Sequence, residues 1–286
     1  MANLAEKTIG VVGLGLIGGS FCKTIKKHLG TGCLGLDTDP DTVRKALDEG
    51  VLRRGISAGE LGECDITVVA LHPKQTIAFI AEHAAHFKKG SIVMDVCGIK
   101  TEIVAAADGL LREQGVRFVG THPMAGREFS GYAYAQDTLF DHASFIITPS
   151  EQTGQEELET VVSLAEAMRF ERVVVATPEE HDRIIAFTSQ LAHVVSNAYI
   201  KSPTAQYQMG FSAGSFLDLT RVAKLNEDMW TDLFMMNGEP LLYELDTIIG
   251  HLEEYRDALR AGDHEKLRQL LKQGRILKEK SLELKN

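Results

Sequence analysis

His122 lies in Gly120-Thr121-His122-Pro123-Met124-Ala125-Gly126-Arg127-Glu128, a polar, turn-rich stretch directly after an apolar run. An imidazole is the side chain that changes charge near neutral pH, so at this position it can accept a proton from a hydroxyl group. Such a loop at the C-terminal end of a parallel strand sits where α/β sheets place their ligands. Two readings stand at this point: His122 is a general base, or its ring ties down a Pro/Gly loop. A second set, Asp182, Ser189 and His193, is spaced by 7 and 4, which at 100° per residue puts the three near one face of a helix. Ile184, Ile185, Phe187 and Leu191 surround them. Buried polar groups require partners, which can be a ligand or simply a neighbouring side chain. Asp218 and Arg221 lie three residues apart. They form either a surface ion pair worth a few tenths of a kcal/mol or, if Phe216, Leu217, Leu219 and Val222 draw that helix inward, a half-buried guanidinium that clamps a carboxylate. Trp230, the single tryptophan, reads as packing.

The sequence Gly13-Leu14-Gly15-Leu16-Ile17-Gly18 fits GxGxxG, and Asp37 follows Gly18 by 19 residues. With a strand before it and a helix after it, this spacing is a dinucleotide-binding fingerprint. Gly13 allows the tight turn, Gly15 lets the backbone approach the pyrophosphate, and Gly18 lets the helix pack close to the sheet. Free amides at Leu16 and Ile17 then face the phosphates. Asp37 accepts hydrogen bonds from the ribose hydroxyls and repels a 2′-phosphate, which favours NAD over NADP.

The elements that must position these groups follow from the hydrophobic pattern. Apolar, β-branched runs at 8–12, 33–36, 66–71, 91–96, 117–120, 144–148 and 172–176 alternate with helical stretches such as 16–29. That is the pattern of a parallel sheet covered on both faces, an α/β doubly wound domain over residues 1–176. From 177 to 286 helical periodicity dominates, at 179–200, 215–225, 238–261 and 264–284. An all-helical half with apolar faces predicts a homodimer.

Composition bounds the rest. Of 286 residues 44% are hydrophobic, enough for a packed core, and 40 acidic against 30 basic residues give a net charge of −10. Without a Lys/Arg-rich block, neither nucleic acid nor an acidic membrane is an expected partner. Cys22, Cys33, Cys64 and Cys97 form no CxxC pair, so no metal site or disulfide framework is expected. Scattered thiols suit a cytoplasmic location. The longest apolar runs fall short of the ~20 residues of a membrane helix.

In series, GLGLIGGS, THPMAGRE, EEHDRIIAFTSQLAH and SFLDLTRVA closely resemble the prephenate and arogenate dehydrogenases, over essentially the whole chain. The resemblance implies a Rossmann-type domain followed by a helical dimerisation domain. It also implies oxidative decarboxylation of prephenate to 4-hydroxyphenylpyruvate, on the route to tyrosine, with reduction of NAD. On the matching positions, His122 looks like the catalytic histidine and His193 like a further site histidine. Arg221 looks like the ligand of a substrate carboxylate, with Ser189 beside the substrate and Glu128 at the entrance. One position departs from the pattern. Many family members carry a serine two residues before a lysine after the fourth of these strands, where this chain has Gly98 before Lys100. Three rival readings remain. Arogenate dehydrogenase is one. A 6-phosphogluconate-type β-hydroxyacid dehydrogenase is another, although that class uses a lysine on the long helix. The third is a non-catalytic NAD-binding module, whose catalytic side chains are expected to be lost.

Overall fold

In the computed structural model, which describes residues 4–127 and 129–283, neighbouring residues of the central strands point to opposite faces, and both faces are buried. The chain runs β1 (Ile9–Val12), α1 (Leu16–Leu29), β2 (Cys33–Leu36), α2 (Pro40–Asp48), β3 (Leu52–Gly55), β4 (Ile66–Val69) and α3 (Pro73–His83). It continues through β5 (Ile92–Asp95), α4 (Thr101–Glu113), β6 (Arg117–Pro123), β7 (Ser144–Thr148), α5 (Gln155–Ala167) and β8 (Arg172–Val175). Val11, Val68, Met94 and Val119 face one core with Phe21 and Ile25 of α1 and Leu164 of α5. Their neighbours Val12, Val69, Val93 and Phe118 face a second core with Ile80 of α3 and Ile103, Ala107 and Leu111 of α4. Covered in this way, the strands read as unbroken apolar runs.

The sheet order is β3-β2-β1-β4-β5-β6-β7-β8. Its strands are parallel except where β7 pairs antiparallel with β6, His122 opposite Ile146. The strand order reverses between β1 and β4, which opens a crevice at their C-terminal ends. All seven expected strand runs occur, and the fold is the doubly wound α/β arrangement the pattern implies. β3, by contrast, is not evident in the sequence. It is an edge strand of Leu-Arg-Arg-Gly whose arginines are exposed, and such a segment has no apolar periodicity to detect.

Beyond Val175 the described residues are helical: α6 (Pro178–Ile185), a π-helical segment (Ala186–Leu191), α7 (Ala192–Tyr199), α8 (Gly214–Thr220), α9 (Glu227–Met236), α10 (Gly238–Ala261) and α11 (His264–Glu283). Thr177 caps α6 by accepting from the Glu180 amide, and Pro178 occupies its first turn. Asn226 caps α9 in the same way, through the Met229 amide. The chain divides into two compact units, Met1–Asn237 and Gly238–Asn286. In the second, α10 and α11 form an antiparallel hairpin whose turn contains Gly262 at φ 63° and Asp263 accepting from the Lys266 amide. No helix of the described residues is long and apolar enough to cross a membrane.

Candidate active site

At the crevice, the glycines make close approaches that a larger residue would prevent. Gly13 has φ +83°, and a Cβ there would lie 2.5 Å from the Ala70 carbonyl oxygen. A Cβ on Gly18 would lie 1.9 Å from the Gly13 carbonyl oxygen, so α1 packs on the loop only because Gly18 lacks one. Gly15 differs, since a Cβ there would meet nothing within 4 Å. Open space therefore faces the start of α1, where Leu16 and Ile17 begin the helix and no side chain caps it. The Asp37 carboxylate is oriented by the Leu14 amide on one oxygen (2.6 Å) and the Asp39 amide on the other (2.9 Å). Beside it lies a cleft of about 380 Å³ lined by Gly13, Asp37, Ile56, Ser57, Phe79 and His83, among others. A slot with apolar walls and a carboxylate, beside a glycine loop that leads into an uncapped helix N-terminus, fits an adenosine diphosphate moiety.

His122 lies near the C-terminal end of β6 and is half-buried. Its Nδ1 is 2.9 Å from His181 Nε2, and His181 Nδ1 is 2.7 Å from Asp182 Oδ1. Asp182 also accepts from the Lys100 amide (2.7 Å) and the Thr101 amide (2.8 Å), capping α4 from across the structure. A carboxylate at a helix N-terminus is favoured by the helix dipole. Burial opposes its charge, yet the bonds from His181 and Thr101 outweigh that and hold its pKa below the usual range. As a carboxylate Asp182 can only accept, so His181 as a neutral ring carries its proton on Nδ1 and presents a bare Nε2. His122 must then donate from Nδ1, which leaves its own Nε2 unprotonated. That atom faces Gly98, 3.7 Å from where a Cβ would stand. Burial first, and then the unfavourable placing of a second positive imidazole beside His181 and near the Lys100 charge, push the His122 pKa well below 6.5.

A buried ion pair fixes the peptide before this histidine. Lys100, fully buried, bonds through Nζ to Asp95 and to the Thr121 carbonyl (2.6 Å). The Asp95 carboxylate accepts from the amides of Thr121 (3.2 Å) and Cys97 (2.9 Å), and its carbonyl accepts from the Thr121 hydroxyl. A buried charge pair costs desolvation, and here the surrounding hydrogen bonds satisfy it. In consequence the Thr121 peptide is held from both sides.

His193 belongs to a separate group. Its Nδ1 lies 3.2 Å from the Val222 carbonyl, and its ring packs at a tilt of 46° against Trp230, 4.0 Å between centroids. Burial lowers its pKa, the Val222 bond raises it, and the nearby charge of Arg221 lowers it again. Among the described residues no hydrogen bond joins this group to His122. Arg221 ends α8 and is exposed, as are Asp218 and Leu217, so the half-buried guanidinium expected from the apolar neighbours does not form within one chain. Asp182, Ser189 and His193 do not share one stripe either. The π-helical segment, with its i→i+5 bonding, breaks the 100° progression; Ser189 lies half-buried inside it, while Asp182 turns to α4. Glu128 lies outside the described residues.

The sequence reading missed His181, the Asp95–Lys100 pair and α9. The only local signal for His181 was the His-Asp dipeptide at 181–182. For α9 it was the Asn226 cap and the Trp230 region, read as packing alone.

Two family profiles match the chain: "Prephenate dehydrogenase, nucleotide-binding domain" over residues 21–176 and "Prephenate dehydrogenase, dimerization domain" over residues 177–273. Prephenate dehydrogenase of Bacillus subtilis is 31% identical over 274 residues, covering 93% of this chain and 73% of that one. Among solved structures, prephenate dehydrogenase from A. aeolicus in complex with hydroxyphenyl propionate and NAD+ superposes with a TM-score of 0.84 at 26% identity, covering 97% of this chain and 99% of that one. Synechocystis arogenate dehydrogenase superposes with a TM-score of 0.82 at 27% identity, covering 96% and 99%.

Proposed function

Because the chain belongs to the prephenate dehydrogenase family, we propose that it catalyses the NAD-dependent oxidative decarboxylation of prephenate to 4-hydroxyphenylpyruvate. The observation that carries this reading is the Asp182–His181–His122 chain, which leaves a lone pair on His122 Nε2 beside Gly98, 3.7 Å from where a Cβ would stand. Gly13, Gly15, Gly18, the Leu16 and Ile17 amides and Asp37 would hold NAD, which would supply the hydride acceptor.

His122 Nε2 takes the proton of the ring hydroxyl as the hydride leaves the same carbon. The bond to the ring carboxylate breaks, CO₂ departs, and the electron pair completes the aromatic ring. The imidazolium that forms is stabilised through His181 by the Asp182 charge, the arrangement that orients catalytic histidines in acyl transfer. General-base help of this kind is worth on the order of 10²–10⁴-fold. Without a side chain, Gly98 places no hydroxyl beside the base, so the substrate hydroxyl meets Nε2 directly or through water. His193, Arg221, Ser189 and Glu128 complete the substrate side, Arg221 by pairing with a carboxylate. We retain 1–176 as the nucleotide-binding part and 177–286 as the substrate-binding and dimerisation part. The working form is a homodimer in the cytoplasm. Phe187, Tyr207, Met209, Phe211 and Leu217 are all more than half exposed, an apolar surface suited to a second copy.

The test is absorbance at 340 nm with purified protein and NAD. A rise with prephenate supports the reading. A rise with arogenate alone moves the assignment to arogenate dehydrogenase, and no rise with either removes it.

A further inference from the structure

Two buried amides tie the end of α9 to the helix that carries His181 and Asp182. Asn237, directly after α9 and 3% exposed, donates from Nδ2 to the Asp182 carbonyl (2.9 Å) and to Gln190 Oε1 (2.7 Å). Gln190, 2% exposed, donates from Nε2 to the Leu233 carbonyl within α9 (3.1 Å). These three bonds close a ring between the two helices. Side-chain amides are costly to bury and are retained where their bonds are made.

The place of the ring in the fold gives it a consequence for chemistry. Gln190 sits in the π-helical segment Ala186–Leu191, and Asp182 lies one turn before it. In such a segment the ordinary α-helical bonding lapses, and functional sites often gather there. On the other helix, Leu233 Cδ2 is 4.0 Å from where a Gly98 Cβ would stand, so α9 walls the space in front of His122 Nε2. The same bonds therefore hold the wall in front of the base and the His181–Asp182 turn behind it.

We propose that Gln190 and Asn237 are positioning residues, which set the gap between the α9 wall and the His122–His181–Asp182 chain by holding the helix in register across its π-helical turn. This rests on the reading of His122 as the base. Asn237→Leu, close in shape but without donors, lowers kcat about 10- to 100-fold, the order expected of a misplacement of about 1 Å. It leaves the Kd for NAD within about twofold. In imidazole ¹⁵N spectra recorded without substrate, it abolishes the hydrogen-bonded Nδ1 pattern of His122. In a His181→Asn background, Asn237→Leu has no further effect on kcat, because both changes act through one chain.

Multiplicative losses overturn the proposal. So does a variant with lowered Tm but wild-type kcat and ¹⁵N spectra. If Asn237→Leu does not fold, Gln190→Met is read by the same spectra, and an unchanged His122 pattern overturns the proposal there as well. A wild-type protein inactive on both substrates removes the proposed reaction, yet the substrate-free spectra still decide this point.

Discussion

Asp182→Asn isolates the role of one charge while changing the shape of the site very little. The wild-type carboxylate accepts three hydrogen bonds, from the Lys100 amide, the Thr101 amide and His181 Nδ1. An asparagine has one oxygen and one NH₂ to offer these three donors. With its oxygen toward Lys100 and His181, the NH₂ opposes the Thr101 amide. With its oxygen toward Thr101, the NH₂ opposes the Lys100 amide and forces His181 to accept at Nδ1. His181 then carries its proton on Nε2 and donates to His122, whose own proton moves to Nε2, the atom that must be bare. Either arrangement leaves a buried donor unsatisfied, which costs about 1–3 kcal/mol and lowers Tm by roughly 2–12 °C. The second also removes the base, so kcat falls on the order of 10²–10⁴-fold. The assay is turnover at 340 nm, accompanied by NAD binding and a thermal melt. A folded, NAD-binding Asp182→Asn protein with kcat within about threefold of wild type would refute the reasoning.

His122→Asn should lower kcat about 10²–10⁴-fold with the Kd for NAD unchanged by fluorescence titration; equal losses in both would point to misfolding. Gly15→Ala enters open space, so its Tm should match wild type while the Kd for NAD rises at least about tenfold, or about 1.4 kcal/mol, by obstruction of the pyrophosphate. Arg221→Ala should raise KM for prephenate about tenfold or more with kcat preserved, the mark of uniform binding lost. Because His122 is held below its ordinary value of 6.5, it stays neutral as pH falls through that value. The kcat/KM of the free enzyme should keep its plateau there and decline only in more acidic buffer, whereas an acid limb centred at or above 6.5 contradicts the assignment.

The cofactor half was legible because its determinants are local. GxGxxG, the strand before it and Asp37 just after β2 lie in one short stretch, and Gly13 and Gly18 answer contacts with nearby backbone while Gly15 faces open space. The proposed catalytic chain was legible only at His122. Its partners come from α6, some 59 residues on, and the bond from Asp182 to α4 spans 82 residues, distances at which spacing carries no signal. Periodicity misled in the same helix, since the π-helical segment displaces residues that a 100° projection aligns. Arg221 shows a further limit. Apolar neighbours suggested burial, yet Leu217 and Leu219 are exposed in the single chain. A pattern that marks a buried face does not say whether the cover is the same chain or a second copy.

The protonation state of His122 tests the account most directly. With ¹⁵N-labelled histidine and the His122→Asn variant for assignment, spectra of the NAD complex near pH 7.5 report each ring nitrogen separately. The account predicts a neutral ring bearing hydrogen on Nδ1, bonded to His181, and a bare Nε2. A proton on Nε2, in either the other neutral tautomer or the imidazolium, would contradict it.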